Sequence, residues 1–152
     1  MSTKVITVTG HVKSKGQFVV QTENFKVPIG ANESNPLLNA PSPIEYLLAG
    51  YAGCINAIGV VVAKEQNLVL EALTVQVEGT LNTDKFLGNP TANRAGFNQI
   101  KVTVHPTSSA TQNELQKWLN TLEERCPVGD NLKYETPVQL QLAAPVAYAT
   151  VV

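Results

Sequence analysis

The chain has little charge to offer a partner. Eleven Lys and Arg stand against twelve Asp and Glu, so the formal charge is −1, and charged residues are only 15% of the 152. This balance supplies neither a basic stripe for a nucleic-acid backbone nor a polybasic patch for an anionic membrane, so no nucleic acid and no membrane is expected as partner. The apolar run Ile58 to Ala63 is far too short to span a bilayer. Met1-Ser2-Thr3-Lys4 leads directly into a strand-like run, so neither signal nor transit peptide is expected, and the expected compartment is the cytoplasm. Cysteine is scarce too. Cys54 and Cys126, 72 positions apart, do not make a disulfide framework. No C-x-x-C occurs, and His11 and His105 are not spaced as a ligand pair, so no metal is expected. Two buried thiols or one redox pair remain.

What is present is a folded chain. A hydrophobic fraction of 43% argues against disorder, and 152 residues suit a single domain spanning 1–152. Ile6 and Val8 alternate with Thr7 and Thr9 until Gly10 breaks the run. A second strand is expected around Gln17 to Gln21 and a third through Phe25, Val27 and Ile29, with a turn at Thr22-Glu23-Asn24 between them. Residues 30 to 42 collect Gly, Pro, Asn and Ser and read as a connecting loop. Further strands are expected at 73–81, at 100–105 and at 138–142, where Val138, Leu140 and Leu142 alternate with Gln139 and Gln141.

Two helices are written plainly. Ser42, Pro43 and Glu45 form a capping box with proline at the first helical position, opening a helix that runs to about Gln66. It is apolar nearly all round, so most of its faces must be covered. Gly50, Gly53 and Gly59, with Ala49, Ala52 and Ala57, offer a small-residue surface for close approach of another helix. Thr111 and Glu114 form a second capping box, and Leu115, Trp118, Leu119 and Leu122 make the apolar stripe of a helix that Pro127 is expected to stop. The order of strands and helices is α+β. An apolar helix together with a hydrophobic tail, Ala143 to Val152, is more than one small chain hides, so an obligate dimer is expected.

Both cysteines fall on helix faces turned toward the core, so the thiols are candidates to meet. Neither has an activator in its local sequence. Burial raises a thiol pKa, and the C-terminal end of a helix disfavours a thiolate at Cys126.

At these residues a resemblance appears. Pro43-x-Glu45-x-Leu47-Leu48 followed by Ala49-Gly50-Tyr51-Ala52-Gly53-Cys54 resembles the first cysteine motif of the OsmC/Ohr family. Leu122-Glu123-Glu124-Arg125-Cys126-Pro127-Val128 resembles its second. The segments Asp84-Lys85-Phe86-Leu87-Gly88 and Arg94-Ala95-Gly96-Phe97 are similar to the OsmC-like branch. The resemblance implies an intertwined homodimer in which antiparallel sheets wrap two central helices. It also implies reduction of hydroperoxides, with Cys54 oxidised to a sulfenic acid, Cys126 closing a disulfide upon it, and an external dithiol restoring both, without a cofactor. Glu45 is the candidate third member of the site, although the capping box gives it a second reading. Family peroxidases use an N-terminal Arg and a Glu ten residues before the first cysteine. Here Ile44 holds the latter place and no Arg precedes Arg94, so Arg94, His11, Lys13 and Lys15 are the candidate cations. The alternatives to an enzyme are a dimer of the same fold that binds a small hydrophobic ligand at the subunit interface, and a structural dimer whose thiols are core residues.

Overall fold

The structure is a computed structural model and describes residues 3–12, 18–30 and 40–144. Lys13, Lys15, Gln17, most of the 30–42 loop and the tail beyond Ala144 lie outside them. Three short strands, β1 (Thr9–Val12), β2 (Phe18–Gln21) and β3 (Lys26–Ile29), form an antiparallel sheet in that order. The expected turn joins β2 to β3, where the Thr22 N–H donates to the Phe25 carbonyl at 2.8 Å.

The first strand begins later than its alternation suggests. Residues 3 to 8 are not in a strand, and Gly10, expected as a breaker, lies inside β1. The reason is a neighbour's size. A Cβ on Gly10 would stand 2.3 Å from Phe18 Cζ, so the missing side chain makes room for the ring from β2. The same device recurs in the second sheet, where a Cβ on Gly79 would stand 2.3 Å from Phe97 Cε1. That sheet is a long hairpin of β4 (Ala72–Leu81) and β5 (Phe97–Thr107), with Val75 opposite Val104 and Val77 opposite Val102.

Helix α1 (Pro43–Glu65) starts where the sequence places it, with both hydrogen bonds of the capping box formed. It ends at a left-handed Asn67 (φ 54°), and the Leu68 N–H returns to the Ala63 carbonyl at 2.8 Å. Helix α2 (Gln112–Arg125) opens on the Thr111–Glu114 box. By length and composition α1 would also cross a bilayer. Here, however, one side of it is a core face. Ile55, Val62 and Ala63 pack with Trp118, Leu122 and Cys126, and Leu73, Val75, Val102 and Val104 from the hairpin close over them. The closest helix approach is at Gly59, where a Cβ would meet Trp118 Cζ2 at 3.0 Å and Leu122 Cδ1 at 3.1 Å. Trp118 Nε1 donates to the Gly59 carbonyl at 2.8 Å, so the indole is both buried and satisfied. Gly50 and Gly53 meet nothing within 4 Å, so the stretch Ala49-Gly50 to Ala57, where the closest helix contact is expected, does not carry it among the described residues.

Two expectations need correction. Pro127 stops α2 but also starts a further helix, α3 (Pro127–Lys133), as its first residue. The strand expected at 138–142 does not form. Val138, Leu140 and Leu142 are 86%, 99% and 100% exposed, because no sheet edge among the described residues reaches them. The observed order is therefore βββαββαα.

Candidate functional site: two thiols at a helix junction

Cys54 sits midway along α1 on the side facing α2 and α3, and Cys126 sits at the junction between those two helices. Packing of the three helices brings the sulfurs to 2.9 Å, with a hydrogen bond shared between two free thiols. Cys126 is buried (2% exposed), whereas Cys54 keeps some access to solvent.

The junction itself is the feature that sequence reasoning missed. Cys126 is the last-turn cap of α2 and simultaneously the N-cap of α3, and its sulfur accepts the Gly129 N–H at 3.4 Å. The Val128 backbone N–H favours the Cys54 thiolate. These donors replace the unfavourable carbonyl end that a helix simply ending at Cys126 would present. The signal was available in Cys-Pro-x-Gly, since Pro is favoured at the first position of a helix. Burial still dominates at Cys54. Desolvation pushes its pKa above the ordinary thiol value, the hydrogen bond with Cys126 pushes the same way, and the Val128 N–H opposes them.

The other candidates lie elsewhere. Glu45 accepts the Ser42 N–H and Oγ–H, both at 2.7 Å, and the backbone bond, followed by the hydroxyl bond, holds its carboxyl below the usual range. Its role in this structure is the cap. Arg94 lies along Gly96 in the β4–β5 connection, and His11 lies in exposed β1. Arg125, adjacent to Cys126, pairs with Glu65 across α1 and α2. Among the described residues no cation is one of the groups that shift Cys54. The cation that approaches the site is Lys133 at the end of α3. It pairs with Glu123, which raises its pKa, and it acts on the Tyr51 phenol. Tyr51, Glu123 and Cys126, with aliphatic side chains of α1, α2 and β5, enclose a cavity of 190 Å³ beside the second thiol. No group of three or more His, Cys, Asp or Glu able to hold a metal occurs among the described residues.

A helical core with a long hairpin over it and a thiol pair at a helix junction defines a class of small dithiol α+β proteins. The family model described as OsmC-like protein matches residues 30–141, so the chain belongs to the OsmC-like family. No curated protein matches the chain. Among solved structures, an OsmC-like protein from Mycoplasma pneumoniae is 21% identical with a TM-score of 0.75, covering 86% of this chain and 88% of its own. The organic hydroperoxide resistance protein OsmC from Legionella pneumophila is 20% identical with a TM-score of 0.60, covering 88% and 92%. The organic hydroperoxide resistance protein OhrB of Bacillus subtilis is 22% identical with a TM-score of 0.56, covering 86% and 91%. At these identities the likeness is one of fold.

Proposed function

We propose that the protein is a thiol-dependent peroxidase that reduces organic hydroperoxides as a homodimer. The observation that carries this reading is the 2.9 Å approach of Cys54 and Cys126 from helices far apart in sequence. Packing alone would accept Ala or Val at both places. Family membership and the hydroperoxide resistance named for two similar structures point the same way.

In the proposed cycle the more accessible Cys54 thiolate attacks the peroxide. Its sulfur takes one oxygen to become a sulfenic acid, and the alkoxide leaves and is protonated to the alcohol. Cys126 then attacks that sulfur, a disulfide forms, and the hydroxide leaves as water. An external dithiol returns both thiols, and no cofactor takes part. The Val128 N–H supports the thiolate within the chain. Further stabilisation is assigned to the partner subunit in this reading, since no cation among the described residues acts on Cys54.

The test is to treat the reduced protein with a slight excess of tert-butyl hydroperoxide and map the products by mass. A Cys54–Cys126 disulfide is expected in the wild type, a trapped sulfenic acid on Cys54 in Cys126→Ser, and no turnover in Cys54→Ser. Thiols that remain reduced, or that react no faster than free cysteine, would overturn the reading and leave a ligand-binding dimer in its place.

A further inference from the structure

Tyr51 and Lys133 are unassigned by the cycle above, yet Tyr51 stands beside its second thiol and Lys133 acts on Tyr51. Tyr51 precedes Cys54 by three residues on α1, so the two project from the same side of the helix. Its ring lies against the first turn of α3. A Cβ on Gly129 would meet Tyr51 Cε2 at 3.2 Å, its hydroxyl at 3.3 Å and Cys126 Cβ at 3.5 Å. Glycine at 129 therefore lets the phenol and the Cys126 side chain share one small space, at the residue whose N–H caps the Cys126 sulfur. The hydroxyl belongs to the wall of the cavity that Cys126 and Glu123 also line, and no hydrogen bond engages it among the described residues.

The charges around this space are few. α1 contributes Cys54, α2 contributes Glu123, α3 contributes Lys133, and β5 presents Val102 and Val104. Lys133 is held by Glu123, and its ammonium favours ionisation of the phenol, which makes the hydroxyl a better hydrogen-bond donor. Burial outweighs that pull and raises the Tyr51 pKa, so the phenol keeps its proton and remains a donor.

We propose that Tyr51, with Lys133 behind it, is a positioning residue for disulfide closure, its hydroxyl turning to donate to the Cys126 sulfur as that sulfur becomes nucleophilic. The proposal rests on the peroxidase reading and adds to it the groups that govern its second step. In that step Cys126 loses its proton and its thiolate attacks the Cys54 sulfenic acid. The new S–S bond forms as the S–O bond breaks, and the departing hydroxide takes up a proton to leave water. Cys126 is oxidised and the sulfenic sulfur reduced. A thiolate at a site this buried needs donors. The Gly129 N–H is one, and Tyr51 supplies the second from across the shared space.

The experiment follows the two steps separately. The reduced full-length protein is mixed with tert-butyl hydroperoxide over a range of pH, quenched at intervals with a sulfenic-acid trap and a thiol alkylator, and analysed by mass. In Tyr51→Phe, which keeps the ring on Gly129, the Cys54 sulfenic acid is expected to form at the wild-type rate. Closure to the disulfide should slow about tenfold or more, as for a lost hydrogen bond to a charged group. The pH profile of closure should also move to higher pH. Lys133→Met should slow closure in the same direction, and Lys133→Arg should restore it. Wild-type closure rates in both Tyr51→Phe and Lys133→Met would overturn the proposal, as would slow closure with an unmoved pH profile. Either result leaves the peroxidase reading standing. Failure of the wild type to form any Cys54 sulfenic acid would sink that reading, and this proposal with it.

Discussion

At the scale of single residues, position was legible in the sequence and chemistry only partly so. Helical periodicity is enough to turn Cys54 and Cys126 toward a common core, because Cys126 continues the Trp118 and Leu122 stripe of α2 and Cys54 packs on the same cluster from α1. What surrounds a sulfur depends on groups that periodicity does not describe, here the peptide N–H groups of Val128 and Gly129. Their net effect at Cys54 has a definite sign. Its pKa lies above the ordinary thiol value of 9.0, so the thiolate is a minority species at neutral pH. In the chain dissociated by dilution, alkylation of reduced Cys54 is therefore expected to rise about tenfold per pH unit and to keep rising past that value. Iodoacetamide labelling followed by peptide mass mapping checks this. A plateau already reached near about pH 8 would mean that the thiolate is activated in a way the isolated chain does not provide.

At the scale of elements, the signals that act locally were the ones that could be read. Both capping boxes form as written, because a Ser or Thr hydroxyl and a Glu three residues later satisfy each other's backbone whatever the rest of the chain does. Ser42→Ala removes the acceptor for the Glu45 N–H and a partner of the Glu45 carboxylate, and is expected to cost about 1 kcal/mol. Urea denaturation of the two proteins under the same conditions measures it, and a midpoint equal to wild type would show that α1 is held by packing alone. The elements that were misread need something beyond local sequence. Pro127 is compatible with both a stop and a start, and only the packing of α3 beneath α1, with Gly129 under Tyr51, selects the start. A strand needs an edge to pair with. The alternation at 138–142 has none among the described residues, and neither do Val5, Ile6 and Val8, which are exposed outside β1.

At the scale of the whole molecule, these leftovers point in one direction. Ile44, Leu47, Val60 and Val61 are exposed on a helix whose Gly50 and Gly53 face open space, and the unpaired apolar segments add Val138, Leu140 and Leu142. Exposed apolar surface of this extent on a small chain marks an association site. In the homodimer proposed above, a second copy would offer the same helix face and the same apolar segments in return, so that one symmetric contact would cover both. Sedimentation velocity is expected to give a dimer at micromolar concentration, and a folded monomer there would refute it. Gly53 provides the sharper test. A Cβ there meets no atom within 4 Å among the described residues, so a leucine would point into open space on its own chain. Any loss must then come from overpacking between chains, on the order of 1–3 kcal/mol for each copy. Gly53→Leu should therefore weaken association while leaving helical content unchanged by circular dichroism. If the variant remains as tight a dimer as wild type, the helix contact lies elsewhere on α1. If it loses helix without dissociating, Gly53 is buried within one chain, and the open face described here is not the interface.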